Sequence, residues 1–175
     1  MNKPHDRYNA IIFDIGNVLI RYDEKAVIRM IFGEQLALPM LNKEQLKYFR
    51  TQVPYLVQEL DEGMHILQQV RKKGFKTYVL SNMNEDWYQG LSQRFAVEFK
   101  QFDGVIISGR VNIAKPDPAI YHALLKTYNL RPETCLFLDD KEENIVAGRN
   151  LGIEGIVFQD YQDVMKILKN LKIIE

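Results

Sequence analysis

The chain has 175 residues, of which 46% are apolar and 26% charged, and its 23 Lys plus Arg balance 23 Asp plus Glu. That length suits one domain with its own core, and a net charge of zero gives no electrostatic basis for binding nucleic acid or an anionic membrane. One cysteine excludes an internal disulfide, Met1 to Asn9 lack the apolar core of a signal peptide, and no apolar run reaches transmembrane length, so a cytoplasmic protein is expected.

The first strand is expected at Ala10 to Asp14, an apolar run that ends in one aspartate before a turn-prone Gly16-Asn17 pair. Val18 to Arg21 reads as a short extended piece. Asp23 can cap a helix bearing Ala26, Val27, Met30 and Ile31, stopped near Gly33, and Asn42 a second one with Leu46, Tyr48 and Phe49. No strand signal occurs from Tyr22 to Val53, so residues 22–53 read as a helical insertion, and residues 1–21 and 54–175 as the frame around it. From Pro54, the spacing of Leu56, Leu60, Met64, Leu67 and Val70 predicts a helix closed by Gly74. Phe75 to Leu80 is a strand ending in Ser81-Asn82, and Asn84 caps a helix with Trp87, Leu91 and Phe95. Gly104 to Ser108 is a strand, followed by a loop to Lys115. Asp117-Pro118 opens a helix whose inner face is Ile120, Tyr121, Leu124, Leu125 and Tyr128. Thr134 to Leu138 is a strand ending in Asp139-Asp140. Cys135 inside it reads as a small buried hydrophobe. Ile145, Val146 and Arg149 to Leu151 suggest a helix closed by Gly152, Gly155 to Phe158 a last strand, and Val164, Ile167, Leu168 and Leu171 a terminal helix. His5 precedes the first element. His65 and His122 fall on helices and receive no catalytic role.

Strands alternating with helices imply an α/β fold: a doubly wound, Rossmann-like parallel sheet of about five strands with helices on both faces. Right-handed crossovers bring the strand C-termini to one edge. Asp14, Ser81-Asn82, Lys115 and Asp139-Asp140 should therefore meet there. Each has a bland reading: a turn aspartate, a turn serine, a solvated lysine, a capping pair. Their occurrence at successive strand ends is what favours a site.

Two or three carboxylates brought together repel, and a hard divalent cation relieves that cost. Mg²⁺ takes a few carboxylates, waters and a phosphate oxygen, and the Gly16 carbonyl offers one more ligand. Lys115 and Ser81, with Asn82 beside them, read as phosphate ligands. The Ile15 and Gly16 amides after Asp14 read as an anion nest. A phosphorus atom held this way is open to in-line attack by Asp14, giving an aspartyl-phosphate that water hydrolyses.

These residues resemble the haloacid-dehalogenase-like hydrolases. Phe13-Asp14-Ile15-Gly16-Asn17-Val18-Leu19 is similar to the family's first motif, and Val79-Leu80-Ser81-Asn82 to its second. Lys115-Pro116-Asp117-Pro118-Ala119-Ile120-Tyr121 is similar to the third. Phe137-Leu138-Asp139-Asp140, with Asn144 and Leu151-Gly152-Ile153 behind it, is similar to the fourth. The Asp-Ile-Gly-Asn-Val form resembles a subgroup of small sugar-phosphate phosphatases that includes an α-glucose-1-phosphatase. The resemblance implies Asp14 as nucleophile and metal ligand, Ser81 and Lys115 on the phosphoryl group, Asp139, Asp140 and the Gly16 carbonyl on Mg²⁺, and Asn144 supporting them. It implies a small phosphorylated metabolite as substrate.

Two departures from that pattern matter. Family phosphatases usually carry a second aspartate two residues after the nucleophile, as general acid and base. Here that place is Gly16, which predicts a preference for anomeric or otherwise activated phosphates. The insertion at 22–53 is about half the usual length for the family's cap. A smaller cap predicts a broad, slow phosphatase or a larger substrate that closes the site itself. It also leaves Met40, Leu41 and Phe49 as expected exposed apolar residues, where a partner protein or a second copy would bind. The competing reading is a weak or inactive binding module on the same fold.

Overall fold

The computed structural model describes residues 7–34 and 36–175. The first six residues, His5 among them, lie outside the described part. The chain starts with β1 (Ala10–Phe13), then β2 (Ile20–Arg21), α1 (Glu24–Phe32), a 3-10 turn at Leu38–Met40 and α2 (Lys43–Leu56). Next come β3 (Gln58–Glu59), α3 (Asp61–Lys72), β4 (Lys76–Ser81), α4 (Glu85–Arg94) and α5 (Ala96–Phe99). β5 (Gly104–Ile107) precedes α6 (Ser108–Val111) and α7 (Pro118–Thr127). β6 (Cys135–Asp139), α8 (Glu142–Arg149), β7 (Glu154–Val157) and α9 (Tyr161–Asn170) complete the described part.

The main sheet runs β5-β4-β1-β6-β7, every neighbour parallel. The order reverses at β1, whose neighbours are β4 and β6, which is the switch point where such sheets bind ligands. Period-2 alternation divides β1 between two cores. Ile11 and Phe13 pack with Leu67 of α3, Leu91 of α4 and Leu168 of α9. Ala10 and Ile12 pack with Tyr121 and Leu124 of α7 and Ile145 of α8. Both faces are thus covered, as a parallel sheet requires. Among the described residues no helix is long and apolar enough to cross a membrane.

The helix starts follow local chemistry. Asp23 accepts from the Ala26 amide, Asn84 from Trp87 and Asp117 from Ala119 ahead of Pro118. Asn42 and Gln45 form a reciprocal capping box on α2. The helix expected from Leu56 is different. α2 continues through Pro54 to Leu56, β3 intervenes and pairs antiparallel with β2, and α3 begins only at Asp61. Tertiary packing accounts for the proline inside α2. A β-carbon on Gly90 of α4 would lie 2.6 Å from the Pro54 ring, so α2 and α4 are in close contact there. The Arg94 guanidinium then donates to the Pro54 and Val57 carbonyls at 2.8 and 2.7 Å, satisfying the end of α2.

Other expectations change in detail. The loop after β5 starts as the helical turn α6, closed by Asn112 in the left-handed region. Val146 and Ile167, among the apolar residues that marked the last two helices, are exposed. Of the three apolar residues expected to be exposed in the insertion, Met40 is, Leu41 is half-buried, and Phe49 is fully buried. Phe49 turns inward because its ring packs edge-on against Trp87, with centroids 5.8 Å apart.

Candidate active site

Phe13 lies opposite Val79 of β4 and Leu138 of β6, so Asp14 leaves the sheet level with Asp139. The Asp14 amide continues the ladder to the Leu138 carbonyl at 2.9 Å. After it the backbone folds sharply. The Ile15 carbonyl accepts the amides of Leu19 and Ile20, and Asn17 takes φ 55°. Gly-Asn suits this turn because asparagine tolerates the left-handed region.

Asp14, Asp139 and Asp140 each place a carboxylate oxygen within 4.8 Å of the others. Asp139 is wholly buried at the end of β6. Its Oδ1 accepts the Lys141 amide at 2.8 Å, and Asn144 Nδ2 donates to both of its oxygens at 2.9 and 3.0 Å. Asn144 is held in turn by Tyr121, whose hydroxyl donates to its carbonyl at 2.8 Å. Lys115 Nζ, also buried, lies 2.6 Å from Asp139 Oδ2, 3.1 Å from Asp14 Oδ1 and 2.8 Å from the Leu80 carbonyl. Burial and the nearby Asp14 charge push the Asp139 carboxyl above its ordinary range, against the pull of Lys115. Three carboxylates and one ammonium leave two negative charges in a largely dry site. Asn144 Oδ1 is buried without a hydrogen-bond partner. A divalent cation with oxygen ligands fits that charge balance and that donor set.

A cavity of about 150 Å³ opens over the cluster, bordered by Asp14, Gly16, Ser81 and Lys115 and walled by Tyr22 and Trp87. Ser81 ends β4 and is almost fully buried at this edge. Asn82 turns to the lysine loop: its Nδ2 donates to the Lys115 carbonyl at 2.9 Å and its Oδ1 accepts the Lys115 amide at 2.7 Å. The peptide that follows, Lys115-Pro116, is cis. The Ile15 amide, expected to face an anion, donates to Asp14 Oδ1 itself at 2.7 Å.

The structure brings together Asp14, Gly16, Ser81, Asn82, Lys115, Asp140 and Asn144 around one cavity, with Asp139 beneath it. Arg110, in α6, does not border this cavity. Its guanidinium pairs with Glu85 at 2.5 and 2.9 Å and covers the Tyr88 ring. His65 bonds to the Tyr161 hydroxyl at 2.6 Å. Burial raises the Cys135 thiol to about 11, consistent with an inert core residue. Three residues beside the site escaped sequence reasoning. Asn17 looked like a turn residue only, yet its Nδ2 reaches Asp140 Oδ2 at 3.1 Å while its Oδ1 accepts the Tyr22 amide. Tyr22 carried no local signal, and Tyr121 read only as part of the inner face of its helix and of the third motif.

The family model described as haloacid dehalogenase-like hydrolase matches residues 56–152, more than half of the chain. Bifunctional epoxide hydrolase 2 of Sus scrofa is 33% identical across 58% of this chain and 19% of its own length. The chain spans about a fifth or less of the first curated relatives it matches. A D-ribitol-5-phosphate phosphatase of Bacteroides thetaiotaomicron is 27% identical across 82% of this chain and 88% of its own length. A solved HAD family enzyme from the same organism, in complex with magnesium and inorganic phosphate, superposes with a TM-score of 0.67 over 90% of this chain and 98% of that one. At 20% identity that likeness is one of fold.

Proposed function

The chain belongs to the haloacid dehalogenase-like hydrolase family, and on that premise we propose that it is a Mg²⁺-dependent phosphatase that hydrolyses small phosphate monoesters through Asp14. The observation that carries this reading is the cluster at the sheet's switch point: Asp14, Asp139 and Asp140 within 4.8 Å, with Lys115 between the first two. The relative matched over most of its length is named a D-ribitol-5-phosphate phosphatase, which supports a phosphorylated sugar or polyol as substrate.

In this reading Asp14, Asp139, Asp140 and the Gly16 carbonyl hold Mg²⁺, and Asn144 keeps Asp139 in place. Mg²⁺ bound there supplies positive charge that lets an anionic ester approach the carboxylates. Ser81, Lys115 and the Gly16 backbone receive the phosphoryl oxygens, the Ile15 amide being engaged by Asp14 Oδ1. Asn82 positions Lys115 through its two backbone bonds. Asp14 attacks phosphorus in line, the bond to the alcohol oxygen breaks, and the leaving oxygen takes its proton from water. Water then attacks the aspartyl-phosphate, releasing inorganic phosphate and restoring Asp14. Residues 22–53 act as a reduced cap over this chemistry. With glycine at position 16, acidic leaving groups such as an anomeric hydroxyl are favoured, as in the α-glucose-1-phosphatase-like subgroup.

The test is phosphate release from p-nitrophenyl phosphate, whose leaving group needs little protonation, with and without Mg²⁺. Mg²⁺-dependent turnover in the wild type, lost in Asp14→Asn, is expected. Turnover that survives the substitution, or a folded wild type without turnover, overturns the proposal.

A further inference from the structure

Besides Asn144 Oδ1, two buried polar atoms of residues beside the cavity lack any hydrogen-bond partner: the Tyr22 hydroxyl and the Trp87 Nε1. Burying such a group unpaired costs its hydration and returns nothing, so native proteins rarely leave one there without a use. Both residues line the cavity that holds Asp14, Ser81 and Lys115. Neither ring is loosely held. Tyr22 and Trp87 meet edge to face with centroids 5.5 Å apart, and Phe49 also packs edge to face on Trp87. The Tyr22 amide is tied to Asn17, which also contacts Asp140. The Trp87 amide is capped by Asn84, just past Asn82.

The two groups are of one chemical kind. An indole N–H only donates. Burial, with Glu24 and Asp23 nearby, raises the Tyr22 hydroxyl, so it keeps its proton and donates too. Ile20, Val53, Met83 and Leu91 add apolar lining to the same cavity. Two donors on an aromatic and aliphatic wall suit a ligand with oxygen acceptors on a C–H framework. Size points the same way. A cavity of about 150 Å³ has room for a phosphoryl group and the atoms next to it. A second cavity of about 350 Å³ lies beyond and shares Tyr22, Asn82, Met83 and Trp87. The aromatic pair therefore borders both spaces.

We propose that Tyr22 and Trp87 form the specificity subsite for the alcohol half of the substrate, their donors gripping hydroxyl oxygens near the ester link and their rings facing its C–H side. The substrate class is a phosphorylated polyol or sugar, in preference to the phosphate of a plain alkyl or aryl alcohol. This rests on the phosphatase reading above.

The test compares kcat/KM for glucose 1-phosphate with that for phenyl phosphate, whose ring offers no oxygen acceptor, in wild type and in Tyr22→Phe. The variant keeps the ring and removes the donor. The ratio in favour of glucose 1-phosphate is expected to fall roughly three- to tenfold, the value of one hydrogen bond. The melting temperature is expected not to fall, because no bond within the protein is lost. An unchanged ratio overturns the proposal, and so does a clear fall in melting temperature, which would make the hydroxyl a structural partner. Trp87 is the chain's one tryptophan, so its fluorescence reports on the subsite directly. Glucose 1-phosphate titrated with Mg²⁺ into Asp14→Asn is expected to give a saturable change, weakened by adding Tyr22→Phe. If the wild type releases phosphate from neither substrate, the phosphatase reading fails and this titration alone decides. Saturation sustains the subsite, and no change removes it.

Discussion

At the scale of single residues, Gly16 is the most consequential position. A β-carbon there would meet nothing within 4 Å, and its backbone is not in the left-handed region. Neither packing nor conformation demands glycine, so the missing side chain is a chemical omission. A carboxylate placed there has space beside Asp14 and the cavity. We expect Gly16→Asp to raise kcat on glucose 6-phosphate by about a hundredfold, the lower end of what general acid–base help supplies. Glucose 1-phosphate, with its more acidic leaving group, should gain less. Steady-state phosphate release on the two sugars checks this, and an equal or absent gain would show that the space at Gly16 does not face the leaving oxygen. Ser81 and Asn82 show a related division. They are sequence neighbours at one strand end and both border the cavity, but Asn82 alone also holds the lysine loop. Their joint position was legible in the sequence. Their separate tasks were not, because an amide's partner lies across the sheet edge.

At the scale of elements, the turn after Asp14 is shaped by α3 as much as by its own residues. A β-carbon on Gly63 would come within 1.6 Å of the Val18 carbonyl oxygen, so α3 seats directly against that turn. The Leu60 amide, at the start of α3, also donates to the Leu19 carbonyl at 2.9 Å. We expect Gly63→Ala to destabilise the fold by about 1–3 kcal/mol through overpacking. Urea unfolding measures this, and a wild-type midpoint would refute so tight a contact. Activity should fall with it, since the displaced turn carries Asp14. Caps and most helix spans were readable because they depend on neighbouring residues. Of the β2–β3 ribbon, β2 falls within the extended piece expected at Val18 to Arg21, but β3 and the pairing were not readable. Two-residue strands carry no period, and they exist only because the two ends of the helical segment return to the same place.

At the scale of the whole molecule, the parallel sheet separates chemistry from stability. The C-terminal edge gathers the carboxylates, while the opposite edge carries a charge cluster of another kind. There Asp103 accepts the Thr77 amide at 2.9 Å and Lys76 Nζ at 2.7 Å, and Arg71 donates to Thr77 Oγ1 and the Gln101 carbonyl. Burial alone would raise the Asp103 carboxyl. The Lys76 and Thr77 hydrogen bonds and the charges of Lys76 and Arg71 outweigh it and hold the group below its ordinary range. The folded state then binds its proton less readily than the unfolded chain. The resulting stability is fully present above the ordinary value near ~3.9 and is lost as pH falls through the lower, folded value. We expect Asp103→Asn to lower stability at neutral pH and the gap from wild type to narrow as pH falls into the acid range, as read by chemical denaturation along that pH series. A gap that persists in acid would assign the effect to shape instead of charge. The same sheet separates what each level of structure decides. The sequence alone determined where the five strands of the main sheet run and that Asp14, Ser81 and Asp139 lie at their ends, because apolar runs, period-2 alternation and turn residues are local properties of the chain. Only the tertiary structure decided that Lys115 bridges Asp14 and Asp139, that Asn82 clasps Lys115, and that Asn17 reaches Asp140. The Lys115–Asp139, Asn82–Lys115 and Asn17–Asp140 contacts span 24, 33 and 123 positions. It also decided that Tyr22 and Trp87 keep unpaired donors beside the cavity. A residue's type states what it can donate or accept, but the partner it meets depends on how distant segments pack, and no local pattern encodes that.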